Sequence, residues 1–117
     1  MIARSLRSDT AGTIYHALNR GNARRDIFFK DEDYEAFERV VSEAMEKYPV
    51  DLINYQWMKN HWHMVLCPRE NKAMSAFLGW VTMTHTQRYW LRLHAVGMRS
   101  CDLLANQHSQ LLISAIG

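Results

Sequence analysis

The stretch Asn60-His61-Trp62-His63-Met64-Val65-Leu66 decides how the rest of the chain is read. In a β-strand successive side chains leave opposite faces, so His61, His63, Val65 and Cys67 share one side while Trp62, Met64 and Leu66 share the other. The second side is apolar and suits a core. On the first, two imidazoles stand side by side. Alternate strand residues are about 6 to 7 Å apart, so two neutral imidazoles there can converge on one divalent ion and leave coordination positions open. Two half-exposed strand histidines have the same pattern, so the neighbouring elements must decide between the readings.

Immediately upstream, Val50-Asp51-Leu52-Ile53-Asn54-Tyr55-Gln56-Trp57 is β-branched and aromatic and reads as a strand. The turn Met58-Lys59-Asn60 is short enough to make an antiparallel hairpin with the histidine strand, which Pro68 closes. Further upstream, Asp31 is placed to cap a helix whose first turn adds Glu32 and Asp33. Tyr34, Phe37, Val40, Val41, Ala44, Met45 and Tyr48 recur at steps of three and four, and Pro49 ends the run. Its other side carries Glu35, Glu38, Arg39, Ser42, Glu43 and Glu46. Thr13 to Asn19 reads as a first strand after the turn residue Gly12, followed by the basic loop Arg20-Gly21-Asn22-Ala23-Arg24-Arg25.

Downstream, Asn71 is placed to cap a second helix from about Ala73 to His94, with Gly97 beyond it as a terminator. Met74, Phe77, Leu78 and Val81 form an apolar stripe, broadened by Ala76, Trp80, Met83, Trp90 and Leu91. So wide a face implies more than one neighbour, a partner subunit among them. The order strand, helix, strand, strand, helix is most of a ferredoxin-like α+β sandwich, an antiparallel sheet with both helices on one face; its fourth strand is not visible in the sequence. In this arrangement Trp62, Met64 and Leu66 face the helices. His61 and His63 then lie on the open face, where core histidines would not be, and the ligand reading gains weight.

A chain of 117 residues with 48% hydrophobic residues is long enough for one core and too short for two. Its two cysteines, Cys67 and Cys101, make neither a disulfide framework nor a C-x-x-C site, which implies a reduced cytoplasmic compartment. No stretch has the apolar length of a signal peptide or membrane span, so no membrane partner is expected. The net charge of +2 conceals a segregation: residues 26–51 carry nine acids and three bases, a balance of −6, and the remainder carries +8. A basic surface set apart from an acidic helix suits contact with phosphates. Arg20, Arg24, Arg25 and Lys59 flank the histidine strand in turns and are the expected DNA-binding residues.

Tyr15-His16, Asn19-Arg20-Gly21-Asn22, Arg25, Ile27-Phe28, Asp31, Asp33-Tyr34, Phe37 and Asn60-His61-Trp62-His63 together resemble the single-tyrosine HUH transposases. The resemblance is to the REP-associated branch with its IS200-like transposase domain. It continues through Phe77 and Gly79 to Arg88 and covers residues 10 to about 97. It implies a homodimeric ferredoxin-like nuclease that cuts and rejoins single-stranded DNA near hairpin ends. By the same resemblance, His61 and His63 hold Mg²⁺ or Mn²⁺ against the scissile phosphate. A tyrosine hydroxyl attacks phosphorus, giving a 5′-phosphotyrosine and a free 3′-hydroxyl. The family's proline before Asn-His is Lys59 here.

The departure lies after Gly97. The family continues with a strand rich in glycine and aromatic residues and a helix carrying Tyr-x-x-x-Asn, which supplies the nucleophile. Here the chain runs through Met98-Arg99-Ser100-Cys101 to a short apolar tail, with no tyrosine after Tyr89. The expectation is therefore a transposase-like domain over 1–97 and a divergent tail over 98–117, with a frameshifted or truncated gene as the simplest account. Cleavage is expected to be lost, and the alternative function is a non-catalytic nucleic-acid-binding domain derived from the family. Tyr89 is the only tyrosine beyond the histidine strand that could substitute, and its helix is expected on the opposite side of the sheet.

Overall fold

The computed structural model describes residues 9–21, 26–95 and 109–116. The elements are β1 (Ile14–Gly21), α1 (Asp31–Lys47), β2 (Val50–Met58), β3 (His61–Pro68), α2 (Ala73–Ala95) and β4 (Ser109–Ile116). They form a four-stranded sheet in the order β2-β3-β1-β4, with every neighbouring pair antiparallel. Both helices cover one face, as a ferredoxin-like sandwich requires. No helix among the described residues is long and apolar enough to cross a membrane.

Alternation along the two central strands builds the core. Trp62, Met64 and Leu66 of β3 and Tyr15 and Ala17 of β1 are buried against Phe37, Val40 and Ala44 of α1 and Met74, Phe77, Leu78 and Val81 of α2. Phe37 sits at the centre, its ring 5.6 Å from Trp62 and 4.9 Å edge-on from Trp57. The acidic side of α1 is solvent-exposed at Glu35, Glu38 and Glu46, and Glu38 Oε1 accepts from Trp57 Nε1 of β2 at 3.1 Å.

Several expectations are corrected in detail. Arg20 and Gly21 belong to β1 and not to a loop, because the strand keeps pairing as far as Arg20↔His61 and Gly21↔Ser109. Asp31 is the first helical residue of α1. The amides before it are satisfied by the buried Asp33, whose Oδ2 accepts from Phe29 N–H at 2.8 Å and Lys30 N–H at 3.2 Å. Asn71 does not cap α2; its Oδ1 accepts from Ala11 N–H. The cap is Asp9, 65 residues away from Met74, whose carboxylate accepts from Met74 N–H at 3.3 Å and Ser75 N–H at 2.7 Å. A carboxylate there meets both the unpaired first-turn donors and the positive end of the helix dipole. Gly12, at φ +83°, turns the chain from this cap into β1 and donates its N–H to Pro68 O.

The fourth strand, absent from the sequence reading, is β4. It pairs with β1 from Ile14↔Ile116 to Gly21↔Ser109, with Leu111 buried on the helix side and Leu112 exposed on the other. Its sequence, Ser-Gln-Leu-Leu-Ile-Ser-Ala-Ile, departs from the glycine- and aromatic-rich pattern expected there. Of the broad α2 face, Met83 and Leu91 are exposed by 52% and 70%, whereas Trp80 is half-buried with the Lys47 ammonium over its ring. The side chain of Trp90 and the terminator Gly97 lie outside the described residues.

Truncating Trp62 to alanine should cost about 3–5 kcal/mol, as expected for a large aromatic in a closed core. Asp9→Ala should cost about 0.5–2 kcal/mol through the lost cap. Urea unfolding of the two variants beside the parent chain measures both, and an Asp9→Ala midpoint equal to the parent's would rule out the cap's contribution.

Candidate functional site

The uncovered face of the sheet is built by the residues that the core leaves over. On β3 these are His61, His63, Val65 and Cys67; on β1, Ile14, His16, Leu18 and Arg20. The register sets His61 between Arg20 and Met58, His63 between Leu18 and Gln56, and Val65 between His16 and Asn54. The two histidines read from the sequence therefore share the open face, their ring centroids 5.0 Å apart and their planes at 87°. A third histidine joins them. His16 is a diagonal neighbour of His63 across the β1–β3 pair, within reach of long and aromatic side chains, and its Nε2 lies 2.9 Å from His63 Nδ1. In the sequence His16 reads only as part of the Tyr15-His16 motif. Its period-2 position on β1 was visible, but only the pairing of β1 with β3 brings it to the site.

The contacts orient the rings. Asn60 Oδ1 lies 2.7 Å from His61 Nδ1, and a carboxamide oxygen can only accept, so this nitrogen is the donor. Burial holds the His63 pKa below the usual histidine range, with the neighbouring His61 and His16 adding to the effect. His63 is therefore neutral at neutral pH, the form that can bind a metal. An ion bound through a nitrogen at about 2.1 Å stands roughly 3 Å from that ring's centre, so rings 5.0 Å apart can meet on it. His61 and His63 thus fit a divalent ion as two of its ligands. Among the described residues no group of three or more histidines, cysteines or acids is arranged to hold one. An ion held there would take its remaining ligands from oxygen donors, as hard divalent ions prefer.

Beside the histidines the open face has a shallow hollow of about 400 Å³ lined by His16, Asn54, Tyr55, Gln56, His63 and Val65. Arg20 is exposed at the other flank, opposite His61. Lys59 is exposed in the β2–β3 turn, and its carbonyl accepts from Ile27 N–H at 2.7 Å and Phe28 N–H at 3.0 Å. Gly21 N–H donates to Asn60 O at 2.9 Å. Arg24 and Arg25 lie outside the described residues, but the chain on both sides of them is tied to the turn that precedes His61. Tyr89 is on α2, stacked against Phe29 at 6.2 Å and near His85, on the helix side of the sheet. Tyr15 is buried on that side too, whereas Tyr55, on the edge strand β2, is exposed by 51%, stacks on Trp57 and lines the hollow beside His63.

The family model described as "Transposase IS200 like" matches residues 9–102. Among curated proteins none matches the chain. A solved structure of a REP-associated tyrosine transposase bound to a REP hairpin is similar, with a TM-score of 0.65 at 15% identity. That match covers 100% of this chain and 63% of the other, so the chain spans less than two thirds of the length of this neighbour. A second similar structure, a transposase candidate from Deinococcus radiodurans R1, has a TM-score of 0.64 at 12% identity, covering 94% of this chain and 85% of the other. At these identities the structures speak for the fold. The family match itself runs from the Asp9 cap of α2 through both histidines of β3 and over most of the sequence, and the chain belongs to the IS200-like transposase family.

Proposed function

We propose that this chain acts on single-stranded DNA, holding a backbone phosphate at His61 and His63 on the open face of the sheet. The observation that carries the reading is the pair of imidazoles of His61 and His63 on one uncovered face beside the exposed Arg20, with the acidic α1 on the sheet's other face. The REP hairpin bound by the structural neighbour supports DNA with hairpin ends as the partner. His61 and His63 would hold Mg²⁺ or Mn²⁺, which supplies Lewis-acid polarisation of a phosphate oxygen when bound. Arg20, Lys59, Arg24 and Arg25 would bind neighbouring phosphates, fixing the strand without reading its sequence. The homodimer implied by the family resemblance would cover the exposed Met83 and Leu91 of α2.

Strand cleavage by the family's route needs a tyrosine hydroxyl at the held phosphate. The helix-side positions of Tyr15 and Tyr89 favour the second reading, binding without cleavage by either of these tyrosines. A metal that polarises a phosphate still needs a positioned nucleophile, and losing one costs several powers of ten in rate.

Two imidazole ligands make a weak site, so Mn²⁺ should bind with micromolar or weaker affinity and lose heat of binding in His61→Ala. Identical calorimetric isotherms for parent and variant would remove the histidines from the site. For the DNA contacts, the salt dependence of single-strand binding should flatten by roughly 0.7 in log–log slope per neutralised residue in Arg24→Gln/Arg25→Gln. An unchanged slope would put the DNA elsewhere. Incubation with labelled single-stranded DNA and Mn²⁺ should yield no protein-linked strand after denaturation. A linked strand that disappears in Tyr89→Phe would overturn both the inactivity and the assignment of faces.

A further inference from the structure

We infer that His16 is a positioning residue for His63: its Nε2 accepts the Nδ1 proton of His63 and so leaves the His63 Nε2 lone pair as the outward, ligating nitrogen. The inference rests on the reading of His63 as a metal ligand, and its test is chosen to separate the two.

The His16 Nε2 and His63 Nδ1 nitrogens are 2.9 Å apart, an ordinary hydrogen-bond length. The ring centres are 5.1 Å apart with planes inclined by only 26°. The difference between these two distances is about two imidazole ring radii, so both nitrogens lie on the line joining the rings and point at each other. That is the arrangement of a shared proton. A metal ion ligated by both nitrogens would sit off that line, because the bonds at a tetrahedral or octahedral ion meet at an angle. His16 is therefore not a third ligand, in keeping with the lack of a three-ligand group among the described residues.

One proton fills the gap, and its side decides what His63 can do. On His16 it would leave His63 protonated at Nε2, with no lone pair directed outward. On His63 Nδ1 it makes His63 match His61, whose own Nδ1 proton is held by Asn60 Oδ1. Both rings then present Nε2. Metal-binding histidines ordinarily donate their other ring proton to a partner that fixes tautomer and orientation, and here an imidazole occupies the place usually taken by a carboxylate or carbonyl. The sheet supplies the rigidity: β1 and β3 are paired from Tyr15↔Leu66 to Arg20↔His61, so the two rings are held from paired strands.

Nitrogen-15 spectra of the imidazole rings in the metal-free protein should show His63 as the Nδ1–H tautomer. In His16→Ala it should shift toward the Nε2–H tautomer, and Mn²⁺ affinity should fall ten- to a hundredfold, the usual loss for an outer-shell partner of a metal-binding histidine. His16→Gln, whose carboxamide oxygen can accept the same proton, should recover most of both. A parent protein with His63 as Nε2–H, or a His16→Ala variant with unchanged tautomer and unchanged Mn²⁺ affinity, overturns the inference. A parent that binds no Mn²⁺ yet holds His63 as Nδ1–H supports the positioning by His16 and overturns the metal reading instead.

Discussion

The strict two-residue alternation of β3 ties the fold of this chain to its chemistry. Trp62, Met64 and Leu66 are fully buried against the helices, and the pleat then leaves His61 and His63 nowhere to go but the open face. A one-residue slip would bury both imidazoles and expose a tryptophan, a methionine and a leucine. Burying side chains of this size is worth roughly 1.5–3 kcal/mol each, far more than any contact the histidines make. The hydrophobic core therefore sets the register, and the candidate site follows from it. Arg20 opposite His61 and Gln56 opposite His63 are consequences of the same register.

The second constraint is electrostatic. The negative balance of the segment containing α1 lies on the layer that covers the sheet's other face, and the described basic residues nearest the histidines are Arg20 and Lys59. A polyanion approaching the open face is spared the acidic side of α1 by the thickness of the sandwich, more than a Debye length of about 8 Å at physiological salt. The backbone bonds from Gly21, Ile27 and Phe28 to Asn60 and Lys59 fasten both flanks of the arginine-bearing segment to the turn before His61. One short hairpin turn thus connects the basic segment to the histidine strand.

Local periodicity made much of this legible. The histidine faces, both helices and the β2–β3 hairpin follow from apolar spacing of two or of three and four, and the family resemblance followed from motifs within those elements. What the sequence did not disclose depends on contacts between distant segments. Asp9 reads as part of an irregular lead-in, and only the fold brings it to the amides of Met74 and Ser75. Asn71 had the right residue type at the right place for a cap, yet its oxygen serves Ala11 instead. His16 joins His63 only because β1 is the central neighbour of β3. For β4, Ser109 to Ile116 mixes an apolar run with alternation, and the partner that selects a strand is β1, far away in sequence. Tyr89 is a different case: topology alone puts it away from the histidines, and its stacking on Phe29 sits on the helix side accordingly.

The open face around His61 and His63, and not the acidic helix, is the proposed binding place of a divalent ion. Paramagnetic broadening of backbone amide signals on titrating Mn²⁺ into nitrogen-15-labelled protein tests it most directly, because the effect falls steeply with distance from the ion. The amides of His61, His63, Leu18 and Arg20 should broaden first, while those of Glu35, Val40 and Glu46 on α1 should stay sharp at the same concentration. Broadening that begins on α1 and spares β3 would contradict it.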